Sequence, residues 1–126
     1  MSTESTSSRG LTRQTSWIRP DVVRVRLLGD LDLATAPGVT TYLRHLTADG
    51  VRHLVLDLTP VTSMASPGIS MLVTALAEAQ GVDRVHLVGV ANNDHVRRVL
   101  DITGVRERFA DHDDMDGLLH APDAGR

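Results

Sequence analysis

Residues 54–73, LVLDLTPVTSMASPGISMLV, decide the fold, because they read as an apolar strand, a short polar bend and a helix that starts at a serine. Leu54, Leu56 and Leu58 alternate with Val55 and Asp57, the period of a strand with one well-buried face. Pro60 closes that strand. Ser66 then stands at a helix N-cap, where its hydroxyl can accept from a free backbone N–H. Pro67 follows at the first helical position, where a missing N–H costs nothing. Ile69, Leu72, Val73 and Leu76 repeat at helical spacing, and Gly81 supplies a left-handed stop. The Ser66 hydroxyl is thereby expected at the positive end of a helix dipole, in a loop open to a partner.

Working outward, residues 1–10 are rich in Ser and Thr and are expected to form a disordered tail, followed by a folded domain over 11–120 and a frayed end over 121–126. An edge strand is predicted over 11–18. Pro20-Asp21 turns the chain into a strand over 22–28, where Val23, Val25 and Leu27 alternate with Arg24 and Arg26. Gly29-Asp30-Leu31-Asp32 follows, then a helix capped at Thr35 or Ala36, with Pro37 in its first turn and Val39, Tyr42, Leu43 and Leu46 buried. Residues 84–90 read as another buried strand. Asn92-Asn93-Asp94 caps a helix carrying Val96, Val99, Leu100 and Thr103, and Gly104 stops it. A brief last strand over 106–109 and a short helix opening over 111–114 complete the chain. Strands alternating with helices in a short chain make an α/β fold: a small mixed β-sheet with about four helices, packed mainly on one face.

Composition narrows the function. The chain has 126 residues and a formal net charge of −3, and its arginines are scattered, so there is no basic stripe for nucleic acid. It contains no cysteine, which removes disulfides, thiolate chemistry and cysteine zinc sites and suits a reducing cytoplasm. No apolar run is long enough for a membrane span. Trp17, Tyr42 and Phe109 are the only aromatic residues, so the core must be aliphatic. The six histidines share no ligand spacing and are expected to be mostly solvated or strand-face residues, and Asp111, Asp113, Asp114 and Asp116 lack the pattern of a calcium loop. No metal site, resident cofactor or catalytic group is predicted. A serine hydrolase needs glycines on both sides of its nucleophile, and Ser63-Met64-Ala65 provides none on the near side of Ser66.

The succession of GDLD at 29–32, TAP at 35–37, LVLDL at 54–58, M-x-S-x-G at 64–68 and DITG at 101–104 resembles the STAS domain of bacterial anti-sigma factor antagonists. The likeness covers roughly residues 17–119. It implies a STAS-like α/β domain that is not an enzyme. Its partner would be an anti-sigma factor that is also a serine kinase, supplying its own ATP and Mg²⁺, and its binding would release a sigma factor. Ser66 matches the serine that the partner phosphorylates in that family, which switches binding off, and Gly68 matches the family glycine. Asp30 and Asp32 fall on the family's acidic pair. The partner-binding surface implied is therefore Asp30, Asp32, Thr62, Ser63, Ala65, Ser66, Pro67 and Gly68.

On local sequence alone, Ser66 reads first as a structural cap, a preference that the ordered family match reverses, and Asp30 and Asp32 read as well as strand-end and cap residues. The chain also departs from the family pattern Asp-Ser-Ser/Thr-Gly, carrying Ala65 before the serine and Pro67 after it. That departure keeps open a second job for the same fold, a scaffold or sensory subunit, or a lipid-transporter subunit, that binds without being switched. A homodimer is also left open.

Overall fold

A computed structural model describes residues 3–8, 10–48, 51–65, 68–70, 84–90, 93–103 and 110–112. The strands are β1 (Thr3–Ser8), β2 (Leu11–Arg19), β3 (Val22–Leu31), β4 (His53–Asp57), β5 (Val61–Met64), β6 (Arg84–Val88) and β7 (Ala110–His112). Helix α1 spans Ala36–Thr47 and α2 spans Asp94–Thr103, and residues 68–70 are also helical. The sheet runs β1-β2-β3-β4-β6-β7, antiparallel through β3 and parallel beyond it, with β5 added alongside β3.

Strand β3 organises the sheet because it is long enough to serve two partners. Its first half pairs with β4, from Val22 opposite His53 to Arg26 opposite Asp57. Its second half pairs with β5, from Gly29 opposite Val61 to Leu31 opposite Met64. Gly29 sits at φ +118 where the Gly10 turn crosses it, and a Cβ there would lie 2.1 Å from the Gly10 carbonyl oxygen. Only glycine combines that backbone with that approach.

The alternation read from sequence sorts the two faces. Val23, Val25, Leu27, Leu54, Leu56, Val85 and Leu87 face one side, where Ala36, Val39, Leu43 and Leu46 of α1 and Val96 and Leu100 of α2 close over them. Burying each such leucine or valine removes apolar surface worth about 1.5–3 kcal/mol. The opposite side of the sheet is buried too. Val22, Val55 and Val88 form a second cluster against Ile18, and the His53 and His86 rings meet beside it, Nδ1 to Nε2 at 3.1 Å. Asp57 is buried on this side as well, accepting from Arg24 Nη2 at 3.0 Å and from the Thr59 amide at 3.0 Å. Strand β4 is therefore buried on both faces, where its alternation predicts one.

Several boundaries differ from the sequence reading. Residues 3–8, expected within a disordered tail, pair in register with β2, so β2 is not an edge. The ladder hydrogen bonds are backbone groups, which the TESTSS sequence supplies without any apolar periodicity. Residues 61–64, read as part of a polar bend, form β5. The last strand falls at Ala110–His112, where the sequence suggests one at 106–109 and a helix opening at 111. Residues 106–109 and 113–114 lie outside the described residues, as do the stops at Gly81 and Gly104. Among the described residues no helix is long and apolar enough to cross a membrane.

Candidate functional site

The second half of β3 and the whole of β5 end side by side, and this brings Asp30 to Thr62 and Ser63. Asp30 Oδ1 accepts from Thr62 Oγ1 at 2.5 Å and from Ser63 Oγ at 2.8 Å. The Thr62 hydroxyl, and then that of Ser63, hold the Asp30 carboxyl below its ordinary pKa, against a smaller opposing effect of burial. Asp30 and Thr62 are exposed, so the sheet presents a fixed negative charge and two oriented hydroxyls at its surface.

Asp32 does different work. Its Oδ1 accepts from the amides of Ala34 and Thr35, at 2.9 and 3.1 Å, and its carbonyl accepts from Ala36 N at 2.9 Å. The Thr35 side chain makes no capping bond to α1 and instead donates to the Asp30 carbonyl at 2.8 Å. Asp32 thus builds the turn that launches the helix, as aspartates with nearby free amides do. The acidic pair is split between a surface carboxylate and a turn-forming one.

Beyond Ser63 the backbone is tied on both sides. The Ala65 amide donates to the Leu31 carbonyl at 3.0 Å, and the Ala65 carbonyl accepts from Gly68 N at 2.8 Å and Ile69 N at 3.3 Å. The bond from Ile69 is the first i to i+4 bond of a helix, so helical pairing begins at the Ala65 carbonyl. Gly68 is buried, and a Cβ on it would lie 2.9 Å from Met64 Cγ and 3.0 Å from Leu31 Cβ. The glycine is what lets the helix start sit against the strand ends. Ser66 and Pro67 lie outside the described residues.

Two further side chains shape this corner. Asn93 Oδ1 accepts from Val96 N at 3.2 Å, the capping bond expected from its sequence position. Its Nδ2 reaches the carbonyls of Leu58, Thr59 and Val61, at 3.1, 3.1 and 2.6 Å. His95, which composition alone places with the solvated histidines, accepts at Nε2 from the Met64 amide at 3.1 Å. No sequence signal marks that bond, because it joins residues far apart in the chain. Among the described residues no group of three or more His, Asp or Glu side chains could hold a metal ion.

The sequence model of the STAS domain matches residues 16–116. The anti-sigma-B factor antagonist of Staphylococcus aureus (strain NCTC 8325 / PS 47) is 30% identical over 84 residues, covering 66% of this chain and 76% of that protein. An anti-sigma factor antagonist from Mycobacterium paratuberculosis superposes with a TM-score of 0.72 at 24% identity, over 84% of this chain and 88% of that one. The anti-sigma factor antagonist SpoIIAA in its unphosphorylated form gives 0.72 at 18% identity, over 85% and 93%. The Bacillus cell fate determinant SpoIIAA in its phosphorylated form gives 0.64 at 18%, over 82% and 94%. At these identities the solved structures speak to the fold, and the sequence match carries the kinship. Because that match takes in the strand ends at Asp30 and Ser63 and the helix start at Gly68 together, the chain belongs to the STAS domain family, where its relatives are anti-sigma factor antagonists.

Proposed function

We propose that this protein is an anti-sigma factor antagonist that binds an anti-sigma factor serine kinase through the surface around Ser66 and so releases a sigma factor. Phosphorylation of Ser66 by that kinase switches the binding off. The protein itself is not an enzyme and works in the cytoplasm, and the kinase supplies ATP and Mg²⁺. The observation that carries this reading is the exposed corner where β3 and β5 end. There the Asp30 carboxylate, ordered by Thr62 and Ser63, stands on the strands that lead into the Ser66 segment.

The chemistry of the switch is local. A phosphate adds about −1.5 to −2 charge and three acceptor oxygens. Against a partner surface meant to close over it, that charge is poorly paired. A tenfold to hundredfold loss of affinity needs only about 1.4–2.8 kcal/mol, within the cost of burying an unpaired charge. At the start of a helix the phosphate is favourable for the fold, so the modification disturbs the interface and leaves the domain folded.

The test is intact mass after incubation with candidate anti-sigma kinases and ATP, with Ser66→Ala alongside. One phosphate on the native chain and none on the variant is the expected result. In calorimetry Ser66→Ala should keep binding and Ser66→Asp should lose about tenfold or more. Detectable binding with no phosphate from any candidate would favour the second reading, a STAS scaffold, sensory or transporter subunit that is not switched. That reading draws its support from Ala65 and Pro67, which replace a carboxylate and a hydroxyl residue beside Ser66.

A further inference from the structure

Strands β4 and β5 share β3 as their inner neighbour, yet their outer edges are treated differently. The outer edge of β4 is taken by β6, residue for residue from His53 opposite Arg84 to Asp57 opposite Val88. No strand pairs with the outer edge of β5 among the described residues. The chain leaving β6 instead enters α2, and two side chains at the start of that helix do there what a strand would have done. Asn93 Nδ2 donates to the Val61 carbonyl at one end of β5, and His95 Nε2 accepts from the Met64 amide at the other, at 2.6 and 3.1 Å.

We infer that His95 is a positioning residue for the partner-docking segment, its Nε2 lone pair holding Met64 so that the chain enters the Ser66 segment at a fixed place. The inference rests on the docking role proposed above. Its geometric basis is the pair of bonds just ahead of Ser66. The Met64 amide points outward to α2 and the Ala65 amide points inward to Leu31, so consecutive residues are tied in opposite directions. Removing the inner tie would require breaking the sheet. Removing the outer one requires changing a single exposed side chain.

The bond uses the Nε2 lone pair as its acceptor, so the side chain at this position must offer an acceptor to the Met64 amide. Strand β5, reading Val61-Thr62-Ser63-Met64, brings no titratable group to face the ring. On α2 the neighbouring Asp94 carboxylate is paired with Arg97 at 2.9 Å. Glutamine is the substitute of choice at this position, because its Oε1 stands near the place of Nε2 and can accept from the same amide.

The experiment uses the full chain with His95→Leu and His95→Gln, and reads two quantities. One is hydrogen exchange at the Met64 amide by NMR without any partner, with Leu56 in β4 as internal reference. The other is affinity for the anti-sigma kinase that binds the native chain. For His95→Leu, Met64 should exchange about fivefold to tenfold faster while Leu56 is unchanged, and affinity should fall by a similar factor. His95→Gln should bring both back to within about twofold of the native chain. Unchanged Met64 exchange in His95→Leu overturns the inference, and so does faster exchange that extends to Leu56, which would make the residue merely structural. Faster Met64 exchange with undiminished affinity overturns it too, as does failure of His95→Gln to restore either quantity. If the native chain binds no anti-sigma kinase, the proposed function fails, and Met64 exchange with its rescue by glutamine then decides by itself whether His95 holds the segment.

Discussion

Strands β4 and β5 run parallel to the same strand, are separated by only a short turn, and have opposite characters. All five residues of β4 are buried, whereas β5 has buried Val61 and Met64 at its ends and exposed Thr62 and half-buried Ser63 between them. The first is gripped by strands on both sides; the second has a strand on one side and helix side chains on the other. The difference teaches that one long strand, β3, can carry the core with its first half and hold out the proposed recognition corner with its second. Stability and recognition should therefore separate under mutation.

The sharpest way to break that separation is Leu56→Ala. Leu56 is fully buried between Val25 and Leu87 in adjacent strands, and truncating it should cost about 2–5 kcal/mol in urea unfolding. The fraction that stays folded should bind the proposed kinase partner with native affinity; a parallel loss of affinity would mean the two halves of β3 are not independent. Gly68→Ala comes next. Its added methyl meets Met64 and Leu31, so overpacking should cost about 1–3 kcal/mol and push the helix start away from the strand ends. A binding loss larger than the stability loss is expected here, the reverse of Leu56→Ala.

Asp30→Asn should have the smallest effect on the fold. The Asp30 pKa is lowered in the folded state, so the carboxylate's contribution to stability is present above the unfolded value, about 3.9, and is lost as pH falls through the folded one. The asparagine variant should lose only this acid-side part of the pH dependence in thermal unfolding. An altered profile near neutrality would contradict the assignment. At neutral pH its effect should appear in partner affinity.

The sequence was most legible where burial imposes a period. Val23, Val25 and Leu27 announced β3, Leu54 and Leu56 announced β4, and Pro37 and Asn93 marked the starts of α1 and α2. It was least legible where backbone pairing acts without apolar side chains. Thr3–Ser8 joins the sheet with no hydrophobic residue at all, and β5 hides behind Pro60 and two hydroxyl residues that look like a turn. Polar burial was equally hidden, since the contact of His53 with His86 depends on the register of β4 on β6. At the candidate site, the capping role of Asn93 could be read locally, and the division of labour between Asp30 and Asp32 could not. The first depends on β5 lying alongside and the second on the turn into α1. The structural setting expected for Ser66 itself falls outside the described residues.

The scarcity of aromatic side chains gives the protein a built-in optical reporter. Trp17 is the only tryptophan and packs from β2 against the main aliphatic cluster, while the phenol of Tyr42 meets the Thr15 hydroxyl on the same side of the sheet. Near-ultraviolet signals therefore come almost entirely from the β2 and α1 region. Indole emission will shift to the red when that region comes apart and will follow the core with no second tryptophan to confuse it. Unfolding can be watched in the intrinsic fluorescence of the native chain, and a label placed near the strand ends would then report docking as a separate colour in the same cuvette.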